Sequence, residues 1–373
     1  MIPHHPRHTR PLIAAATLCV AAAVVACLPA CDRAAPSGTT TLDFWTLDLT
    51  PFSPYLTNLI NDFETQNPDV KVIWTDVPFS TLDRKLIAAA AAGRAPDVIN
   101  FSDMTFARFA ALGATEDLSP HLTDSTTDAY LPNILSTLRI NNQLLGLPWY
   151  LSTQTLIANE SLLTQSGLAA ETLPTDWAAL RTLAEEHKDK TNTFLFSLPL
   201  GEESVLPWML LAEGINPFTQ DDVANPASRL TANINTPEAR DFLAAWVQMY
   251  RQGLLPREAA TTGHSHLIDL YKANRLALMN LSPNFLRRIR DESPSVFATT
   301  TVRPAITGRL GRTHVPVMLL SVTTQSDAPD LAAKLAAHIT SPAAQLDFCR
   351  LVNILPSTAA SLDDPHFDPP TPA

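Results

Sequence analysis

The spacing of hydrophobic positions changes period repeatedly along the chain. In "TLDFWT" (41–46), Leu42 and Phe44 alternate with polar neighbours, which predicts a strand. Ser53-Pro54 then predicts a helix start, with serine capping and proline at the first position. Leu56, Leu59, Ile60 and Phe63 follow at i, i+3, i+4 and i+7. "NPDVKVIW" (67–74) predicts a turn and a second strand, with Trp74 on its buried face. "STLDRKLIAAAAAG" (80–93) is a capped helix ending at Gly93, "APDVINF" (95–101) a short buried strand, and "MTFARFAALG" (104–113) another helix. This alternation predicts an α/β fold whose parallel sheet is covered on both faces. Ligands of such sheets bind beyond the carboxyl ends of the strands, which points to Trp45, Thr46 and Asp103.

The middle of the chain is richer in helix. "TDWAALRTLAEEH" (175–187) begins with a Thr175 cap, and "TPEARDFLAAWVQMYRQG" (236–253) with Thr236-Pro237. Phe242, Leu243, Trp246 and Met249 or Tyr250 form one core-facing stripe, and Trp177 fits another. Short strands are predicted in "FLFSLPL" (194–200), "RLALMNL" (275–281) and "VPVMLLSVT" (315–323), and a late helix in "APDLAAKLAAHIT" (328–340). The Pro-rich end, 363–373, is expected to be disordered.

The N-terminus reads as a targeting segment. Arg7 and Arg10 precede an apolar, uncharged run from Leu12 to Ala26, which is the pattern of an export signal. Small residues follow in "VVACLPACDR" (24–33), and "DRAAPSGTTT" (32–41) reads as a flexible tether. Cys19 lies in the signal, and a metal at Cys27 and Cys31 would need further ligands nearby. His4, His5 and His8 fall in the removed segment. Cys349 is expected as a buried small apolar residue, with a bridge to Cys31 as the alternative.

A length of 373 residues suggests two domains, and 46% apolar residues supply real cores. A net charge of -11 argues against a nucleic-acid partner; Arg287, Arg288 and Arg290 are spaced like a solvated helix face. No phosphate-cradling glycine motif or G-x-S-x-G elbow occurs. His264 and His266 would share a face of a strand but lack further ligands, so a solvated loop and no metal are expected. Glu202-Glu203, Asp221-Asp222 and Asp363-Asp364 are adjacent pairs, and adjacency does not supply the convergence that acid–base work needs. Five tyrosines and few histidines speak against iron capture.

Four stretches in order resemble the family 1 extracellular solute-binding proteins, the sugar-binding lipoproteins of bacterial ABC importers and relatives of maltose-binding protein. They are "KLIAAAAAGRAPDVINFSD" (85–103), "GATEDLSPHL" (113–122), "LLGLPWYLSTQTLIANESLLTQSGL…LPTDWAALRTLA" (144–184) and "ITSPAAQLDFCRLVNILPS" (339–357). Cysteine directly after the small residue of the export signal also resembles a lipobox, with Cys27 preferred for lipidation and Cys31 the alternative. The resemblance implies a type II periplasmic-binding-protein-like fold, two α/β lobes joined by a hinge around a ligand cleft. It implies a signal peptide over 1–26, a lipidated tether over 27–40, and lobe one over 41–150 plus 310–348. Lobe two would be 151–309 plus 349–362, with crossings near Leu151–Thr153, Arg303–Gly311 and Cys349–Leu355. "GRLGRTHVP" and "LSPNF" depart from the family pattern, and the chain ends soon after "LPS", where relatives usually add more helix.

Sugars present hydroxyls at their edges and weakly polar faces, so a sugar site needs aromatic plates and planar polar groups. By position the resemblance assigns ligand contacts to Trp45, Asp103, Trp149, Tyr150, Trp208, Asn284, Phe285, Arg312 and Thr313. Core packing is the competing reading for the tryptophans, and an N-cap for Asp103. The implied protein is a non-enzymatic, cofactor-free monomer on the outer face of the cytoplasmic membrane or in the periplasm. It would capture a mono- or oligosaccharide and pass it to ABC permease subunits, touching the membrane only through its lipid. A receptor for a glycerol phosphodiester or another anionic polyol, using Arg312, is the alternative, and an exported glycoside hydrolase a further one.

Overall fold

The computed structural model describes residues 38–202, 205–220 and 230–367; the segment expected to be an export signal, Cys27, Cys31 and most of the expected tether lie outside them. The chain begins with β1 (Thr40–Leu47), α1 (Ser53–Gln66), β2 (Val70–Val77), α2 (Leu82–Ala91), β3 (Val98–Ser102) and α3 (Asp103–Ala111). Short helices α4 (Asp124–Thr127) and α5 (Pro132–Ser136) and the hairpin β4 (Arg139–Ile140) and β5 (Gln143–Leu144) lead into β6 (Leu147–Leu151). Next come β7 (Thr155–Asn159), α6 (Glu160–Gln165), α7 (Trp177–Thr191), β8 (Phe194–Phe196) and α8 (Val205–Ala212). The ribbon β9 (Phe218–Gln220) and β10 (Leu230–Ala232) precedes α9 (Pro237–Arg251), α10 (His264–Lys272), β11 (Leu276–Leu281), α11 (Leu286–Glu292), α12 (Pro294–Phe297) and β12 (Thr300–Pro304). The last elements are β13 (Val317–Val322), α13 (Pro329–Ile339), α14 (Pro342–Val352), β14 (Leu355–Pro356) and α15 (Ala359–Leu362).

Two larger sheets organise these elements. One has the order β14-β6-β13-β3-β1-β2, the other β12-β7-β11-β8. Strands β1, β2 and β3 are parallel as the alternation predicts, but β13 runs antiparallel to β3, so the sheet is mixed. Interior strands β3, β6, β11 and β13 are buried at every position, while edge strands β2 and β12 keep exposed residues. Continuous apolar runs in the sequence therefore became interior strands, covered on both faces. The six-stranded sheet has one core, built around Leu42, Phe44, Ile99, Phe101, Trp149 and Phe348. The four-stranded sheet carries two, Leu156 and Ala158 facing the Trp177–Trp246 side and Ile157 facing Tyr271 and Ile289.

Several local expectations are corrected. Ser53 lies inside α1 and donates to the Thr50 carbonyl rather than capping the helix. Asp176, not Thr175, caps α7, its side chain accepting from the Ala179 N–H at 2.9 Å. His264 and His266 lie on α10 rather than a loop or strand, and two residues apart on a helix they diverge. Residues 349–362 do not return to the second sheet. Strand β14 pairs with β6, and Cys349, Val352 and Ile354 join the first core, because the apolar stripe of α14 continues the cover over Trp149. Cys349 is fully buried and has no bridge among the described residues; the alternative partner, Cys31, lies outside them. The segment 363–367 is ordered, with Asp364 paired to Arg350 at 2.5 Å and Phe367 packed on the first core; 368–373 lie outside the described residues.

Candidate functional site

The strand directions place one edge of each sheet at the same junction. Leu47, Val77 and Ser102 end the parallel strands on the edge where β6 leaves and β13 enters. In the second sheet β8 and β11 end, and β7 begins, on one edge, with Leu281 opposite Thr155. Only residues 152–154 connect Leu151 to Thr155. The two edges therefore lie within about 14 Å of each other, the reach of four extended steps. The return passage is equally short. Ile306 to Leu310 are bound to the second sheet's helices and β11: both Ile306 backbone groups bond the Asn280 amide, at 2.5 and 3.0 Å. The N–H groups of Thr307 and Leu310 donate to the Thr175 and Ala212 carbonyls. The free crossing is thus 311–316, later in the chain than the sequence suggests, and the Ser152 N–H donates to the Pro316 carbonyl across the two crossings at 2.9 Å.

On the first edge, Asp76 organises the loop after β1. Its carboxylate accepts from the Thr46 hydroxyl (2.7 Å), the Leu49 and Thr50 N–H groups (2.9 and 2.7 Å) and the Thr50 hydroxyl (2.6 Å). Asp48, at φ 52°, accepts from the Phe79 N–H. That loop delivers Phe52, whose ring meets Phe348 edge-on at 5.9 Å. Phe348 also stacks on Tyr55 and on Trp149 and touches Tyr150, at 5.5, 5.1 and 5.4 Å. A register shift in the pairing of β6 with β13, with Met318 opposite Tyr150 and Leu319 opposite Pro148, lets two consecutive aromatics reach this ring. Burial holds the Tyr150 hydroxyl well above the usual phenol range, aided by nearby Cys349, Asp76 and Asp48, so it is a neutral donor.

On the second edge, β11 runs into Ser282, Asn284 and Phe285. Phe285 packs against the His264 ring at 5.0 Å. His264 Nδ1 lies 2.6 Å from Glu202 Oε1, which also accepts the His264 N–H at 2.8 Å. Burial of Glu202 is the largest single influence and works against its charge. The combined hydrogen bonds and charge of His264 outweigh it, so the carboxyl sits below the usual range and stays ionised. Gly201 and Gly263 permit this approach. A Cβ at Gly201 would lie 2.5 Å from the Thr261 carbonyl carbon, and one at Gly263 2.5 Å from Glu202 Oε1.

The residues proposed from sequence separate into groups. Tyr150, Asn284, Phe285, Thr313 and Asp103 lie at the facing edges. Asp103 is not the cap of α3: Ser102 is, accepting from the Thr105 N–H. Asp103 instead lies 3.2 Å from His314 Nε2 on the return crossing. Arg312 is exposed on that crossing. Trp149 is fully buried in the first core. Trp45 sits inside β1, which runs on to Leu47, and its ring lies under Lys85 of α2 at 4.4 Å. Trp208 packs at 6.3 Å on Trp177 in the second core. Phe52, Phe348 and the Glu202–His264 pair were missed from sequence; Phe348 falls in the late stretch 339–357 but was not singled out there. Four buried polar atoms at these edges have no partner among the described residues: Ser197 Oγ, Ser282 Oγ, Asn284 Oδ1 and Thr313 Oγ1. A separate open hollow of about 420 Å³ lies at the opposite end of α8 from Glu202, lined by Glu213, Asn216, Asn233, Phe242 and Arg309 among others. Its distance from the convergent polar groups makes the sheet-edge cleft the better candidate. Among the described residues no group of three or more His, Cys, Asp or Glu could hold a metal. No helix among them is long and apolar enough to cross a membrane.

Two lobes with convergent polar and aromatic edges define a binding protein of the hinged, two-lobed class. The family model of the bacterial extracellular solute-binding proteins matches residues 58–370, and the chain belongs to that family. A crystal structure from Synechococcus sp. MITs9220, provisionally named an oligosaccharide periplasmic-binding protein, is 32% identical, covers 86% of this chain and 78% of its own, and superposes with a TM-score of 0.77. Maltose-bound MalE3 of T. maritima shares the fold at 21% identity, with a TM-score of 0.72 over 88% of this chain and 84% of its own. Provisionally named binding proteins of Brucella abortus are 20% identical over 256 residues, 68% of this chain; the match spans 60% of the length of these curated relatives. The family is one of extracellular solute-binding proteins, and the Synechococcus neighbour is named as a periplasmic-binding protein.

Proposed function

We propose that this chain is the receptor lipoprotein of an ABC importer, capturing a mono- or oligosaccharide between its lobes and delivering it to the permease. The observation that carries this reading is the set of unpartnered hydroxyl and amide atoms of Ser197, Ser282, Asn284 and Thr313, on the segments at the strand ends and the return crossing, with Phe285 next to Asn284 in the chain. Buried polar atoms need partners, and the hydroxyls of a sugar supply them while aromatic faces cover its C–H surface. The similarity to an oligosaccharide periplasmic-binding protein of Synechococcus supports the same class of solute. Asp48, Asp76, Asp103 and Glu202 along the edges outnumber Arg287 and Arg312, which favours a neutral polyhydroxyl ligand over an anionic polyol.

In this reading the first lobe is 41–151 plus 317–362 and the second 155–310, hinged at 152–154 and 311–316. Ligand touching both lobes shifts the population toward the closed form, which a permease can distinguish. Lipidation of Cys27, or Cys31, would tether a monomeric body to the outer face of the membrane. A thermal-shift and tryptophan-fluorescence screen against a saccharide panel tests the central claim, because a ligand that binds only the folded state raises its apparent stability. Stabilisation by at least one neutral saccharide is expected. No response to any sugar, while a control receptor responds, would defeat the proposal, as would turnover of a glycoside by the pure protein. Mass spectrometry of the processed N-terminus decides between the cysteines, and an intact Met1 terminus rejects both.

A further inference from the structure

We propose that Arg287 and Phe52 form a latch across the cleft that holds the two lobes together through contacts of the chain's own. The Arg287 guanidinium carbon lies 4.9 Å from the centroid of the Phe52 ring. The two residues belong to different bodies. Arg287 is in the first turn of α11, beside the core formed by Tyr271 and Ile289, and Phe52 packs on the core of the six-stranded sheet. Phe52 is a fixed platform. Phe348 meets its ring edge-on at 5.9 Å, and the Asp76 carboxylate holds the preceding Leu49–Thr50 turn.

Arg287 is the arginine of its cluster that faces the other lobe. Arg288 is engaged by Asp269 and Glu292, and Arg290 by Asp291 at 2.9 Å, whereas the Arg287 ion pair with Asp291 is long, at 3.9 Å. Asn284 and Phe285 stand three and two residues before Arg287, and Tyr150 shares the Phe348 ring with Phe52. A closed latch therefore sets the ligand-facing groups of the second lobe in register with those of the first. The basic run read from sequence as a solvated helix face thus has one member with a separate task. An exposed cation–π contact changes an equilibrium about two- to five-fold. That is enough to bias opening while leaving a ligand able to dominate it.

The latch rests on the two-lobed cleft of the proposed function, but its test needs no sugar. Hydrogen exchange of the ligand-free full chain reports the opening of residues 49–53 and 284–288 as amide protection. Arg287→Ala is expected to lower protection in both segments about two- to five-fold, with amides of α14 unchanged. Arg287→Lys, which keeps the cation, retains most of it. Phe52→Leu reproduces the alanine effect, and the double variant goes no further than either single one. Unchanged protection in Arg287→Ala, lysine behaving as alanine, or additive effects in the double variant each overturn the latch. A chain that shows the coupling yet responds to no sugar would refute the proposed solute and leave the latch standing.

Discussion

Phe348 offers the sharpest test of how the site is supported. Its side chain is fully buried and meets Phe52, Tyr55, Trp149 and Tyr150 with ring centroids between 5.1 and 5.9 Å. Truncation to alanine removes the ring and leaves a cavity bounded by four other rings, which can relax only in part. Phe→Ala changes of this kind cost about 3–5 kcal/mol. Much of this comes from aromatic pairs worth about 0.5–1.5 kcal/mol each beyond their buried area, which do not add independently. For a lobe of this size each kcal/mol moves the melting temperature by about 2–4 °C, so a fall of about 6–20 °C is expected. Phe348→Leu keeps most of the volume and should cost about 1–2 kcal/mol. The assay is urea and thermal denaturation followed by tryptophan fluorescence, to which Trp149 in the same stack contributes directly. In the leucine variant, which stays folded, the response to a bound saccharide should also weaken, because Tyr150 and Phe52 lose their common support. A loss below about 1 kcal/mol in the alanine variant, or a leucine variant as damaged as alanine, would refute the role given to this ring.

Other consequences can be measured in the same way. His187 is fully buried between the Ser166 and Thr193 hydroxyls, at 2.8 and 2.9 Å. Burial, helped by the charge of Lys188, pushes its pKa from 6.5 down to about 4. The unfolded chain therefore takes up this proton first: the contribution is intact above pH 6.5 and lost as pH falls toward 4, about 3 kcal/mol in all. His187→Gln should flatten that slope in denaturation midpoints, and an unchanged slope would contradict it. Gly201→Ala should destabilise more than Gly263→Ala, because its new Cβ meets the backbone of Thr261 and Thr262 while the other meets a carboxylate that can swing aside. Equal midpoints for the two would count against this account. Asn280→Ala strips both Ile306 backbone bonds at a buried position and should cost about 1–3 kcal/mol, with faster amide exchange at 305–307. Exchange there identical to the parent chain would show that the return strand is held by something else.

The periodicity of Leu42, Phe44 and the stripes of α1, α9 and α13 determined most of the elements, because burial on one face or two leaves a repeat that needs no partner to be read. Family membership was equally legible, in four ordered stretches. The site was legible only in part. Asn284 and Phe285 follow a strand end that the pattern located, whereas the pattern says nothing of what surrounds Trp45 and Trp149: the first ring lies under Lys85 of α2 and the second stacks on Phe348. Nothing local distinguishes a ring that faces a cleft from one that faces a core. Tertiary structure alone decided the pairing of β14 with β6, which joins the chain after α14 to the first sheet, and the binding of Ile306 to the second, which depends on Asn280 reaching it from another strand. It alone brought Glu202 to His264 across 62 positions and Arg287 to Phe52 across the cleft. Such contacts depend on which elements pack side by side, and a one-dimensional repeat carries no record of that.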